Sequence, residues 1–185
     1  SQRLSTLQSA RLFAMAEVAA ADALISCYRE KKRWAFWRPV TAIPLADTDG
    51  NPATTADPAW TPLRTTAPSA EYPSGHACFT TAVMTALGAF FGRDDLTFAA
   101  YSPASGTTRH YDSLKAATAE LLEARIWAGV HYRFASEHGH RIHSDEGAWS
   151  SGRSGDHERG PNLGYRIRSK EGYVPVPPAD SLSDL

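Results

Sequence analysis

Glu71-Tyr72-Pro73-Ser74-Gly75-His76-Ala77-Cys78-Phe79-Thr80-Thr81-Ala82-Val83-Met84-Thr85-Ala86-Leu87-Gly88-Ala89-Phe90-Phe91-Gly92 is the stretch whose reading decides the fold. Pro73 interrupts the preceding structure and Ser74 is a good N-cap, so a helix is predicted over residues 74–91. Its uncharged run, residues 77–92, is shorter than the roughly 18–20 residues of a membrane span. Thr80, Thr81, Thr85 and Gly88 interrupt it further. The stretch therefore reads as the buried helix of a soluble bundle, with no membrane span.

The neighbours of this helix also read as helical. Residues 3–37 predict one long helix, apolar nearly all round through Leu12, Phe13, Met15, Val18, Leu24, Ile25 and Tyr28. Pro39 sets its end near Trp37, because the residue before a proline avoids the α region. Residues 39–73 form a long Pro-rich connection, expected to be pinned to the body by Trp60 and Leu63. Asp47-Thr48-Asp49-Gly50-Asn51 within it lacks the closing glutamate of a calcium loop and reads as a turn. Residues 96–110 read as a loop. A third helix is expected from Asp112 or Ser113 to about Glu137. No stretch alternates as a strand does, so the class is all-α. From residue 143 on, Gly, Ser, Arg, Asp and Pro replace the aliphatics. The division expected is a helical domain at 1–142 and a flexible tail at 143–185.

Composition bounds the function. The 185 residues suit one domain or part of one, with 42% apolar and 21% charged residues. A net charge of −1 gives no footprint for nucleic acid. Cys27 and Cys78 read as buried free thiols. The chain begins at Ser1, and so reads as processed or truncated; its localisation is left open.

The chemistry sits in three short motifs: Lys31-x6-Arg38-Pro39, Pro73-Ser74-Gly75-His76 and Arg125-x5-His131. They supply three cations, two imidazoles, a hydroxyl and a glycine-freed helix start, the set that a tetrahedral oxyanion needs. Lys31 and Arg38, seven apart, are expected on one helix face. Arg125 and His131 are six apart and would point about 120° from each other on a straight helix. They converge only through reach or a distortion at Gly129. His110, His138, His140, His143 and His157 read as surface residues, with a metal cluster at His138, His140 and His143 the lesser alternative.

With their flanks, Phe36-Trp37-Arg38-Pro39-Val40-Thr41-Ala42-Ile43 and Gly129-Val130-His131-Tyr132-Arg133-Phe134 included, these motifs resemble the signature of the type 2 phosphatidic acid phosphatase/vanadium-dependent haloperoxidase superfamily. The likeness is to its soluble bacterial haloperoxidase-like branch and spans roughly residues 8–140. It implies a helical bundle of the haloperoxidase/acid phosphatase type. It implies vanadate as cofactor, with phosphate able to take the same site. Lys31, Arg38, Ser74, Gly75 and Arg125 would bind the oxyanion, His131 would be axial to vanadium, and His76 would move the proton. Lys31 would also polarise bound peroxide. The substrates implied are halide and hydrogen peroxide, or alternatively a phosphate ester hydrolysed through phosphorylated His131.

Two departures stand out. Ala124 occupies a position where relatives often have Ser. Ala135 occupies the position of an Asp that orients the histidine in phosphatase members. Without that Asp, hydrolysis through His131 is expected only where Glu137 or a backbone carbonyl substitutes, and Ala135→Asp is expected to raise hydrolysis more than oxidation. The superfamily's amino-terminal helices have no counterpart, so the chain also reads as the C-terminal half of a larger bundle. Its uncovered apolar face would then suit a homodimer, or mark an inactive or partner-dependent fragment.

Overall fold

Ser5 opens the first helix, α1 (Thr6–Trp34), through a reciprocal cap. Its hydroxyl accepts from the Gln8 N–H at 3.2 Å, and Gln8 Oε1 accepts from the Ser5 N–H at 2.8 Å. Ala35 ends the helix at φ 44°, its N–H donating to the Lys31 carbonyl. The helix thus stops before Trp37, and Arg38 is the extended N-cap residue of a short second helix, α2 (Pro39–Ala42). The computed structural model describes residues 3–149. After α2 come a 3-10 turn at Ala46–Thr48, then α3 (Gly75–Phe91), strands β1 (Phe98–Ser102) and β2 (Thr107–Tyr111), α4 (Leu114–Trp127) and α5 (Arg133–Trp149).

α1 packs on α3 through small residues. Ala19, Ala23, Ala82 and Ala86 form one buried cluster. Stepping four residues toward the site on each helix gives Cys27 and Cys78, then Lys31 and Ser74, all buried. The two helices therefore run antiparallel, and the last rung of their ladder is the motif pair. Cys27 and Cys78 are free, buried thiols one rung behind it. The outer face of α1 stays exposed at Leu7, Phe13, Val18, Ile25 and Tyr28, so α1 is not enclosed by the described residues.

α5 meets α3 where Gly139 lies. A Cβ there would stand 2.9 Å from the Ser74 carbonyl oxygen and 3.0 Å from Ala77 Cβ. Ala135 and His143, one turn to either side, are also buried, so α5 presses its small face onto the start of α3.

Four expectations need correction. Residues 96–110 are not all loop, since β1 and β2 pair antiparallel from Phe98 with Tyr111 to Ser102 with Thr107. Their residues are exposed on both faces, so no apolar alternation marks them. The helical class stands with this one hairpin. Residues 112–137 are not one helix. Ser113 caps α4 as expected, but Gly129 at φ 69° breaks the chain before α5. The Trp60 ring lies 3.1 Å from where a Gly129 Cβ would be, so Trp60 does pin the connection. Leu63 does not, being 79% exposed. α5 also runs past residue 142, so the boundary expected there falls inside a helix. The tail from residue 150 on lies outside the described residues.

The Asp47–Asn51 segment is a turn whose carboxylates serve their own loop. Asp49 Oδ1 accepts from the Asn51 N–H at 2.7 Å, and Asp47 Oδ1 accepts from the Ala56 N–H at 3.1 Å.

Candidate active site

Lys31 sits on the last turn of α1 and is 4% exposed. Its ammonium donates to the carbonyls of Ala70 (2.6 Å) and Glu71 (3.0 Å). Burial lowers its pKa, and the nearby Arg38 lowers it further. Arg38 is beyond the helix end, not two turns along one face, so the chain turn at Ala35 brings the two cations together. Its guanidinium reaches two other segments: Nε donates to the Ser69 carbonyl at 2.9 Å and Nη1 to the Val130 carbonyl at 2.7 Å.

Ser74 is the N-cap of α3, its hydroxyl accepting from the Ala77 N–H at 3.5 Å. Its own N–H donates to the Ala135 carbonyl at 3.0 Å, which ties the helix start to α5. Gly75 leaves room beside Lys31, with Cε 3.8 Å from where a Cβ would be. His76 is exposed on the first turn of α3. Its pKa is lowered, first by partial desolvation and then by Arg125, Arg38 and Lys31.

Arg125 lies on the last turn of α4, and its Nε is buried without a hydrogen-bond partner. Burial and Arg38 depress its pKa. His131 follows the Gly129 break and is buried. Burial pushes its pKa down to about 2, with Arg38, Lys31, Arg125 and His76 adding to the effect. The imidazole is therefore neutral. The structure thus brings Lys31, Arg38, His76, Arg125 and His131 into one electrostatic cluster from four segments. The break at Gly129 is the distortion that lets the third motif join it.

Sequence reasoning missed Glu71. Its side chain is wholly buried, and Oε1 lies 2.8 Å from His131 Nδ1 and accepts from the Tyr132 N–H at 2.9 Å. Oε2 is buried with no partner. Burial raises the carboxyl to about 7. Glu137, the expected substitute for an aspartate at 135, is exposed on α5. Ala135 is fully buried against Ser74. A carboxylate two residues before Pro73 was the one available signal.

Aromatic residues clamp the motifs together. Phe36 meets Tyr132 and Phe134 edge-on at 5.9 and 5.5 Å, and Trp34 meets Tyr72 at 6.3 Å. The histidines of α5 go to separate partners: His138 to Tyr72 (3.0 Å), His140 to Thr81 (3.0 Å) and His143 to Ser26 (3.4 Å). No group of three or more His, Cys, Asp or Glu among the described residues is placed to hold a metal ion. A cavity of about 710 Å³ lies elsewhere, between α3 and α4 near Met84, Gly88, Leu114 and Leu122. It is an open, mostly apolar groove and contains none of the motif cations.

The family described as the VCPO second helical-bundle domain matches residues 11–157. The crystal structure of the first bacterial vanadium-dependent iodoperoxidase superposes with a TM-score of 0.67 at 34% identity, covering 75% of this chain and 32% of that one. The vanadium chloroperoxidase of Curvularia inaequalis is 30% identical over 172 residues, 68% of this chain and 28% of that protein. A stretch of 51 residues is 49% identical to glutamine synthetase of a Nostoc species, 28% of this chain and 10% of that enzyme. The chain spans about a third or less of the length of each of these proteins. On the family match over most of its length, the chain belongs to the VCPO second helical-bundle domain family, within the haloperoxidase-like branch of its superfamily.

Proposed function

We propose that this chain carries the vanadate site of a haloperoxidase, with Lys31, Arg38, Ser74, Gly75, Arg125 and His131 holding the oxyanion. One observation carries the reading: the buried, unpartnered Nε of Arg125 stands among three desolvated cations that face a neutral imidazole. Three such cations with no local carboxylate neutralising Arg125 fit an anion of multiple negative charge. When bound, vanadate supplies the electrophilic centre at which hydrogen peroxide is activated toward halide.

The residues divide the remaining work. Lys31, Arg38 and Arg125 offset negative charge on the anion, and the Gly75 N–H at the helix start donates to it. His131 offers Nε2 as a neutral lone pair. That nitrogen now accepts from Arg38 Nη1 at 3.0 Å, so ligation requires Arg38 to give up this contact. His76, exposed on the first turn of α3 and with its pKa lowered first by partial desolvation and then by its cationic neighbours, takes a proton from an incoming peroxide.

A second reading has its own support. Phosphate-ester hydrolysis through His131 needs a carboxylate to orient the imidazole, and Glu71 stands where Ala135 cannot serve. The exposed outer face of α1 also suits the partner-dependent reading. One experiment separates the chemistries. Vanadate is titrated into the chain by calorimetry, then bromide oxidation by peroxide is compared with hydrolysis of nitrophenyl phosphate. Oxidation that needs vanadate and exceeds hydrolysis supports the haloperoxidase. Rapid hydrolysis without vanadate, with acid-labile phosphate trapped on His131, selects the phosphatase.

A further inference from the structure

Glu71, two residues before the second motif, touches the other two. Its N–H donates to the Phe36 carbonyl at 3.0 Å, just before Arg38. Its carbonyl accepts from Lys31 at 3.0 Å. Its carboxylate reaches His131 and Tyr132 of the third motif. The tautomer of His131 follows from donor and acceptor capacity. A guanidinium can only donate, so Nε2, 3.0 Å from Arg38 Nη1, must accept. The same Nη1 is 3.5 Å from Nδ1, but Nδ1 is already engaged at 2.8 Å by Glu71. Nδ1 therefore carries the proton and donates it to Oε1.

We propose that Glu71 is the positioning residue of His131, fixing the Nδ1–H tautomer and aiming the Nε2 lone pair into the anion site. The inference rests on the reading of that site given above. It assigns to the segment before Pro73 the task that residue 135, an alanine, cannot perform. Oε1 takes two hydrogen bonds while Oε2 takes none, so the carboxylate is held by the groups it positions and not by a network of its own. Keeping a buried oxygen unpaired costs stability, which a purely structural contact would have no reason to retain. A carboxylate on the far nitrogen also makes the ligating nitrogen more basic, the effect such partners have on metal-bound histidines.

The test uses the full 185-residue chain. Long-range nitrogen–proton NMR of the histidine rings, without vanadate, reads the tautomer directly, and His131→Gln assigns its signals. The wild-type ring should show Nδ1–H and a bare Nε2. Glu71→Gln keeps an oxygen acceptor but loses the charge. It should retain that tautomer and weaken vanadate binding about threefold to tenfold. Glu71→Ala should mix the tautomers and weaken binding about 10- to 100-fold. Glu71→Asp should recover part of the loss. If wild-type His131 carries its proton on Nε2, or Glu71→Ala leaves the tautomer unchanged in a folded chain, the proposal fails. If the tautomer depends on Glu71 but vanadate does not bind, the positioning role stands and the proposed cofactor falls. Loss of the fold in Glu71→Gln, while Glu71→Asp folds but restores neither tautomer nor affinity, would assign Glu71 to structure alone and overturn it.

Discussion

In the proposed site the start of α3 and the junction between α4 and α5 carry equivalent duties, each presenting one histidine and the neighbours proposed to bind the anion, yet they are built differently. At α3 a local code suffices: Ser74 caps, Gly75 and His76 follow on the first turn, and an apolar run drives burial. At the junction no local code suffices. Arg125 ends one helix, Gly129 turns the chain at φ 69°, and His131 precedes the next helix. The turn is held by Trp60 from a distant loop and by Arg38 on the Val130 carbonyl. A site can thus be half self-organised and half imposed by packing, and substitutions should hit the imposed half harder.

The largest expected effect is at the junction. Ala135→Asp would place a second carboxylate in a fully buried position whose backbone carbonyl already serves Ser74. The expectation that it would restore hydrolysis is therefore reversed. A destabilisation of about 3–5 kcal/mol is expected, as for an uncompensated buried charge. Thermal unfolding checks it. A variant as stable as the parent, with faster phosphate-ester hydrolysis, would show that the junction tolerates redesign as freely as a surface turn.

Arg125→Ala should come next, and it should act on binding. Losing a charge-assisted contact weakens vanadate or phosphate by about 1.5–3 kcal/mol, tenfold or more. Its stability should hold or rise, because the buried Nε has no partner to lose. His138→Ala, which removes only a contact to Tyr72, should leave affinity nearly unchanged. Equal losses of affinity in calorimetry would place the anion somewhere other than beside Arg125.

Gly129→Ala sharpens the contrast from the backbone. A side chain at φ 69° costs roughly 1–2 kcal/mol, and its Cβ would also press on the Trp60 ring. Melting temperature and vanadate affinity should fall together, because the turn that is strained also carries His131. A fall in stability alone would show that the histidine finds its place without the turn.

These differences explain what the sequence made legible. Ser74, Ser113 and the apolar run of α3 act within a few residues, so caps and helix starts were readable at Gly75 and Leu114. The break at Gly129 was not, since a lone glycine in a helical pattern is ambiguous until Trp60 arrives against it. The two-stranded hairpin was hidden because neither face is buried. The motif residues were legible as chemistry, but Glu71 was overlooked. Its partner lies sixty positions away, and spacing carries no signal for such a contact.

The smallest effect is expected at Glu137, and its smallness is the point. From sequence alone Glu137 was the natural carboxylate to replace an aspartate at 135, only six residues from His131. On α5 its side chain is exposed, while His131 is buried and engaged by Glu71 and Arg38. Its influence reaches Arg133 and His138, its neighbours on the helix. Exposed charges of this kind are screened and interchangeable, so Glu137→Gln should change stability by no more than about 0.5 kcal/mol. Vanadate affinity and the His131 tautomer should match the parent chain. Glu71→Gln, the same chemical change sixty-six residues earlier, should move affinity. The pair compares the two regions with substitution chemistry held constant. Should Glu137→Gln lower affinity as much as Glu71→Gln, α5 would be supplying the orienting carboxylate, and the junction would prove as locally encoded as the start of α3.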